Sequence, residues 1–241
     1  MVGQFGCLWG CVIVCPSLIC ASLMAKTPVN SKNSKSKPKL VAGYKHGRVP
    51  RAVREQQILD IAEQQFLEKG YEGTSVESVR IEAGVSRPII YDHYGSKDKL
   101  YLACVKRARE DFQRQLESVW KEPGTHEEML KRGSELYFRI VEENPRRWLV
   151  LFSGSVVPSY GELADEFATL RQGTIDLISS LIKTRAPNTN EEEAEAYAQA
   201  VFCVGDHLAR WWQSHPEIPR ERMQRYHTNF IFNGLAQLDS D

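Results

Sequence analysis

The chain has 241 residues, enough for one large domain or two small ones. Hydrophobic residues make up 42% and charged residues 26%, as in globular proteins, so wholesale disorder and a fibrous repeat are excluded. Long apolar segments do not follow one another, which excludes a multi-span membrane protein.

The formal net charge is zero, but the charges are unevenly distributed. Residues 1–54 contain nine Lys and Arg and no acidic residue, whereas the rest carries 22 positive and 31 negative charges. A basic arm on an acidic body favours contact with a polyanion at one end. A solvated tail that only aids solubility is the alternative.

The first residues form an uncharged, cysteine-containing segment. Four of the six cysteines lie there, without CxxC spacing or a nearby histidine, so no metal site is expected: Cys7, Cys11, Cys15 and Cys20. A signal peptide needs a positive start, which this segment lacks. Two interpretations remain. Either the native chain starts at Met24 and residues 1–23 are not part of it, which we favour, or the segment anchors the protein to a membrane.

Residues 1–47 are expected to form a flexible basic arm, rich in Lys, Ser and Asn after residue 25. The apolar residues that follow have helical spacing, and no strand-like alternation occurs. The sequence therefore predicts an all-α fold of about nine helices. They are expected near residues 51–69, 75–83, 86–94, 96–122, 125–143, 146–153, 161–185, 191–214 and 219–238.

The second and third helices, separated by Gly84, fit a helix-turn-helix, whose second helix enters the major groove of DNA. Val85, Ile90 and Tyr94 have the spacing of inward-facing residues. The residues expected to face outward are polar or amphipathic: Ser86, Arg87, Tyr91, Asp92 and His93. Basic residues before and after this unit would flank a phosphate backbone. A plain helical hairpin in a protein that does not bind DNA is the alternative.

Residues 66–100 resemble the N-terminal domain of TetR-type transcriptional regulators. The matching pieces are F-x-x-x-G-Y from Phe66, the Thr74-Ser75 pair, A-G-V-S ending at Ser86, Y-x-H-Y from Tyr91 and G-S-K-D-x-L from Gly95. Each piece is common by itself, but their order and spacing are specific. The match covers about residues 51–110, and the rest resembles the family in helical content and length.

The resemblance implies a DNA-binding domain over residues 48–98. In it Arg87 would contact guanine, Ile89 a base edge, and Thr74, Tyr91, His93 and Lys97 phosphates. His93 as a mere surface residue is the alternative. The full set expected to contact DNA is Arg48, Arg51, Thr74, Ser75, Ser86, Arg87, Pro88, Ile89, Tyr91, Asp92, His93 and Lys97.

Two residues depart from the family pattern. Arg80 stands where a small alanine is usual, so either the helix packing adapts or Arg80 reaches outward to DNA. Ile89 stands where a small polar residue is common, which favours an apolar contact with a thymine methyl group.

Residues 99–241 would form a helical domain for ligand binding and dimerisation, as the resemblance implies. Core packing is the alternative role for its many aromatic residues. The expected cavity lining is Trp148, Phe152, Phe167 and Phe202, with His207 as the polar residue. The last two helices have broad apolar faces that suit a four-helix bundle between two subunits. The expected dimer contacts are Tyr197, Val201, Val204, Leu208, Trp211, Tyr226 and Phe230.

The expected function is a cytoplasmic, homodimeric, ligand-responsive repressor that binds an inverted repeat in double-stranded DNA. A transcriptional activator and a helical protein-binding adaptor are the alternatives. An enzyme is not expected, because the sequence has no GxGxxG, P-loop, HExxH or GxSxG motif, and no cofactor is implied. The effector and the operator cannot be deduced from the residues.

Overall fold

A computed structural model of the chain describes residues 49–154 and 161–235. These residues form nine α-helices and no strand, so the all-α prediction is confirmed. The helices are α1 (Arg51–Gly73), α2 (Val76–Ala83), α3 (Arg87–Tyr94), α4 (Lys97–Lys121), α5 (His126–Glu143), α6 (Pro145–Leu151), α7 (Glu162–Arg185), α8 (Glu191–Trp212) and α9 (Arg220–Leu235). The predictions for the basic arm, the N-terminal cysteines, the start at Met24 and Arg48 lie outside the described residues.

Capping residues fix several of the predicted helix starts. Thr125 and Asn190 each accept a hydrogen bond from the backbone N–H three residues later, and a glutamate at that position bonds back, which completes a capping box. Helix α1 differs from its prediction. It was expected to end at Lys69, but Gly70 only interrupts it, with φ of 74°, and another helical stretch follows to Gly73.

Helices α1 to α4 share one apolar core with α6 and the start of α7. Ile58 and Phe66 of α1, Ile90 of α3 and Tyr101 of α4 are fully buried in it, and Leu151 of α6 joins them. Burial of this apolar surface is the main stabilising contribution. Because α6 belongs to this core, the N-terminal helices and α6 are packed together.

A second core lies among α5, α6, α8 and α9. It contains Phe138, Trp148, Ala209, Trp212 and Met223. Trp148 is therefore buried in the second core, while its near neighbour Leu151 belongs to the first. Helix α6 connects the two parts of the fold.

Candidate nucleic-acid interface and central cavity

The α2–α3 unit has the local geometry of a helix-turn-helix. Ser75 caps α2 by accepting a hydrogen bond from the N–H of Ser78 at 3.0 Å. Gly84 ends α2 in the left-handed conformation, with φ of 65°, which glycine adopts without steric cost. Helix α3 then starts at Arg87, with Pro88 in its first turn, where a missing N–H costs nothing.

Helix α3 buries one side and leaves the other open. Ile90 and the preceding Val85 are buried, and Tyr94 is packed against the same core. The Arg87 side chain is 71% exposed, and Ile89 and Tyr91 are among the exposed large apolar residues. The predicted contact residues on this open side are Ser86, Arg87, Pro88, Ile89, Tyr91 and Asp92, and all of them are exposed. Ser86 caps α3 without a side-chain hydrogen bond, which leaves its hydroxyl available.

Two predicted phosphate contacts are directed inward. Thr74 is buried, and its hydroxyl donates to the carbonyl of Gly70 at 2.9 Å. The His93 side chain is only 8% exposed, and its Nδ1 lies 3.1 Å from a carboxylate oxygen of Glu55. The His93 side chain thus links α3 to α1, and the Thr74 hydroxyl is bonded within the end of α1. Their contact with DNA stays a prediction.

Two of the predicted basic contacts, Arg51 and Lys97, each have an acidic neighbour close to them in the structure. Arg51, largely exposed, lies 3.0 Å from Glu55, one turn further along α1. Lys97 lies 4.1 Å above the ring of Tyr71 and 3.7 Å from the exposed carboxylate of Glu72. Both pairs are near the surface, where water competes with them, so a phosphate group can replace the carboxylate at small cost.

Arg80 stabilises the turn between α2 and α3 and does not reach outward. Its guanidinium donates to the carboxylate of Glu77 at 2.8 and 3.0 Å and to the carbonyl of Val85 at 2.9 Å. The same carboxylate lies 3.3 Å from Nε of Arg87. Hydrogen bonds from Arg80, supplemented by Arg87, hold the pKa of Glu77 below its usual value. Glu77 therefore stays ionised and competes for the arginine expected to contact a base.

An ionic cluster joins α1, α4 and α6. The carboxylate of Glu63 receives hydrogen bonds from Arg107 at 2.7 Å and from Arg147 at 2.5 Å. Arg107 also binds Asp60 at 2.6 Å. Burial alone would raise the pKa of Glu63, but the two arginines more than offset it, so the pKa lies below the ordinary value. The cluster ties the N-terminal helices to the helix that contributes to the cavity.

A cavity of about 240 Å³ lies among α4 to α9. Its lining is mostly apolar and includes Trp148, Phe152 and Phe202, three of the five predicted residues. The other two lie elsewhere. Phe167 is buried in the first core, with its ring centre 5.0 Å from the Arg109 guanidinium, and His207 is exposed on α8 because its neighbours Gly205 and Asp206 take the inward positions.

The cavity contains a basic residue, Arg109, that is not among the predicted site residues. Arg109 lies on α4 within an apolar stripe that contains Val105, Ala108 and Phe112, and only 8% of it is exposed. It donates to the hydroxyl of Thr174 and to the carbonyl of Phe152, both at 3.2 Å. Burial lowers its pKa to about 10. A cation within an apolar stripe was the signal that could have identified it.

A second polar pair lies in the same cavity. Nδ1 of His227 is 3.0 Å from the hydroxyl of Ser134, and Nε2 is 3.5 Å from the carbonyl of Val201. Since a carbonyl only accepts, Nε2 carries the proton and Nδ1 accepts from Ser134. Burial lowers the pKa of His227 to about 4, so the ring is neutral at physiological pH.

The predicted dimer residues fall into two groups. Tyr197, Val201, Val204 and Leu208 are half-buried, and Val201 also lines the cavity. Trp211, Tyr226 and Phe230 are exposed, and Phe230 reaches 66% exposure. The second group leaves an apolar surface on α8 and α9 of the single chain.

Within the described ranges, no helix is both long and apolar enough to cross a membrane. The His, Cys, Asp and Glu side chains of the same residues form no group that could hold a metal ion.

Comparison with known proteins gives matches along both parts of the chain. The family model for bacterial regulatory proteins of the tetR family matches residues 58–104, and a tetracyclin repressor-like C-terminal domain model matches residues 126–234. The transcriptional activator FasR of Mycolicibacterium smegmatis is 22% identical over 211 residues, which cover 87% of this chain and 95% of FasR. The transcriptional repressor AcnR of Corynebacterium efficiens is 45% identical over 64 residues, which cover 27% of this chain and 32% of AcnR.

A solved structure supports the same fold. The regulator FadR from Bacillus subtilis, crystallised with stearoyl-CoA, superimposes with a TM-score of 0.62 at 18% identity. The superposition covers 73% of this chain and 96% of FadR.

Proposed function

The chain belongs to the TetR family of bacterial regulatory proteins, and from that premise we propose that it acts as a homodimeric transcriptional regulator. It binds an inverted repeat in double-stranded DNA, and a small molecule in the central cavity changes that binding. The cytoplasm, where bacterial DNA lies, is the expected location.

One observation carries the proposal. Helix α3 is anchored by the buried Ile90 while Arg87, Ile89 and Tyr91 are exposed together on its open side. Two large apolar side chains that are exposed beside an arginine on one short helix indicate a surface that binds a partner. In the major groove the same residues contact guanine, a thymine methyl group and a phosphate.

The test is the binding of the full chain to double-stranded DNA. Duplexes selected from a random pool give the operator, and fluorescence anisotropy at several salt concentrations gives affinity. Arg87→Ala is expected to relax the choice of sequence at one position, because it removes a base contact. Lys97→Ala is expected to weaken binding to all duplexes alike and to reduce the salt slope by about one. Arg114→Ala, an exposed arginine outside α3, is the control. Failure to bind any duplex would overturn the proposal.

The exposed surface on α8 and α9 supports the homodimer. Trp211, Tyr226 and Phe230 are large apolar residues left in contact with water in the single chain. A second copy would cover them symmetrically and set two α3 helices about one DNA turn apart, ~34 Å.

Phe230→Asp is expected to shift sedimentation equilibrium toward the monomer. The matched control is Ile81→Asp, which changes a residue of similar exposure on α2. A wild-type monomer would contradict the dimer.

Repression is the proposed direction of regulation, with activation as the second candidate. The repressor AcnR is similar over 27% of the chain, whereas the activator FasR is similar over 87% of it. Transcription in vitro from a promoter that carries the selected operator separates the two. A repressor lowers the transcript yield, and an activator raises it.

The effector is proposed to be a mainly apolar molecule. The cavity is lined by side chains such as Trp148, Phe152 and Phe202, and FadR, which has the same fold, was crystallised with stearoyl-CoA. Ligand in this cavity contacts α4 and α6, the helices linked through Glu63 to α1. An effector that weakens operator binding must itself bind less well to the DNA-bound form, typically by about 1–3 kcal/mol.

A further inference from the structure

We propose that the cavity is built for an apolar molecule that ends in a single carboxylate, and that Arg109 and Thr174 bind this carboxylate. The inference rests on the proposed function, since it assigns the chemical class of the effector. It concerns the charged end of the ligand, which neither the apolar lining nor the fold specifies.

Arg109 carries a buried charge that has no counter-ion in the described structure. Arg109 is almost fully buried, and among the described residues no carboxylate forms an ion pair with it. Asp206, the acidic residue of the cavity lining, forms its ion pair with Arg210 at 2.9 Å and not with Arg109. At Arg109 the positive potential of the exposed Arg171 opposes the smaller contribution of Asp206. A buried charge without a partner is costly, and a bound anion would remove that cost.

Arg109 and Thr174 also have hydrogen-bond donors without an acceptor in the described structure. Nε of Arg109 is buried and has no hydrogen-bond partner within the described structure. Thr174 accepts from Arg109, and no described acceptor receives its hydroxyl proton. Three of the four other hydroxyls of α7 behave differently, since Thr169, Ser180 and Thr184 each donate to the carbonyl four residues earlier. Arg109 and Thr174 both line the cavity, so an acceptor group bound there lies close to both side chains.

Charge favours a carboxylate among the anions. One guanidinium matches a monoanion, and the charge-assisted bonds of arginine to carboxylate are strong and directional. The apolar lining of the rest of the cavity suits a hydrocarbon chain. Medium-chain acids such as hexanoate and octanoate combine one carboxylate with such a chain.

The experiment measures binding of matched probes to the full chain by calorimetry. The probes are octanoate, octanol, methyl octanoate and octanoyl-CoA, with hexanoate and dodecanoate to vary the length. Wild-type protein is expected to bind octanoate at least tenfold more tightly than octanol, because the alcohol leaves the guanidinium unpaired. Equal affinity for acid and alcohol, or no binding of any acid, would overturn the inference.

Two variants and a control locate the effect. Arg109→Met fills the space with an apolar side chain and is expected to lose the preference for octanoate while keeping octanol affinity. Thr174→Val is expected to lower octanoate affinity several-fold, and Arg114→Met, which changes an exposed arginine on the same helix, is expected to leave both affinities unchanged. A preference that survives Arg109→Met in a protein shown by circular dichroism to be folded contradicts the assignment. If that variant does not fold, the comparison of acid and alcohol on wild-type protein still decides the inference.

Operator release separates this inference from the proposed function. If octanol, methyl octanoate or octanoyl-CoA releases the operator and octanoate does not, the carboxylate assignment fails while the regulator stands. If no duplex is bound at all, the proposed function itself fails, and the calorimetric comparison still tests the carboxylate site.

Discussion

Replacing Glu63 by Gln tests how firmly the N-terminal helices are joined to α6. The substitution keeps the shape of the side chain and removes its charge. The carboxylate is 12% exposed and receives bonds from Arg107 and Arg147, so both guanidinium groups lose their shared counter-ion. Asp60 remains to pair with Arg107, whereas Arg147 has no second carboxylate among its described ion pairs.

The expected cost follows from these contacts. The amide oxygen of Gln can still accept one of the two hydrogen bonds, while its NH₂ group faces the other guanidinium. The loss therefore amounts to one charge-assisted hydrogen bond plus repulsion between two partly exposed arginines. Breaking a fully buried pair costs about 3–5 kcal/mol, so partial exposure brings the expected decrease in the free energy of unfolding to about 2 kcal/mol.

The assay is urea unfolding followed by circular dichroism near neutral pH. Asp60→Asn is the matched control, because Asp60 binds the same arginine but is 58% exposed, and its loss is expected to cost about 0.5 kcal/mol. The pKa of Glu63 is lowered in the folded protein, so its contribution is present above about pH 4.3, the ordinary value for glutamate, and is lost as the pH falls through the lower folded pKa. Equal effects of the two substitutions would refute the reasoning that burial makes Glu63 the more important partner.

Three other predictions concern the turn, the cavity and the DNA surface. Gly84→Ala is expected to destabilise the fold by about 1 kcal/mol, measured by urea unfolding, because alanine is strained in the left-handed conformation that ends α2; an unchanged midpoint would contradict this. His227 has its pKa lowered to about 4, so the unfolded chain binds more protons between pH 6.5 and 4, and stability should fall by up to about 3 kcal/mol as the pH drops through that range. His227→Asn should flatten this dependence, and an unaltered pH profile would exclude His227 as its cause. Glu77→Gln is expected to raise operator affinity and steepen its salt dependence, measured by anisotropy, because Arg87 loses a competing partner; unchanged affinity would show that the pair does not restrain Arg87.

Local sequence signals determined the positions of the helices. Thr125 and Asn190 cap helices with side chains that reach only three residues along the chain, so those starts are visible without tertiary structure. Gly84 and the polar residues that begin at Ser86 are also signals within a short stretch of sequence. For this reason the sequence predicts the helix-turn-helix. Gly70 shows the limit of such local signals. A glycine indicates a break in a helix, but it does not indicate whether helical structure resumes beyond it.

The buried polar residues of the cavity depend on hydrogen-bond partners that are distant in sequence. Arg109 is accommodated in an apolar stripe because Thr174, 65 residues later, and Phe152 accept its hydrogen bonds. On α9 the face buried within the chain carries Met223 and His227, because Ser134 of α5 and the Val201 carbonyl of α8 satisfy the imidazole. Tyr226 and Phe230, the predicted dimer contacts, lie on the exposed side. Hydrophobic periodicity fixes which segments are helical. Which buried polar group finds a hydrogen-bond partner depends on how the helices pack together. The tertiary structure therefore determines which face of a helix is turned inward.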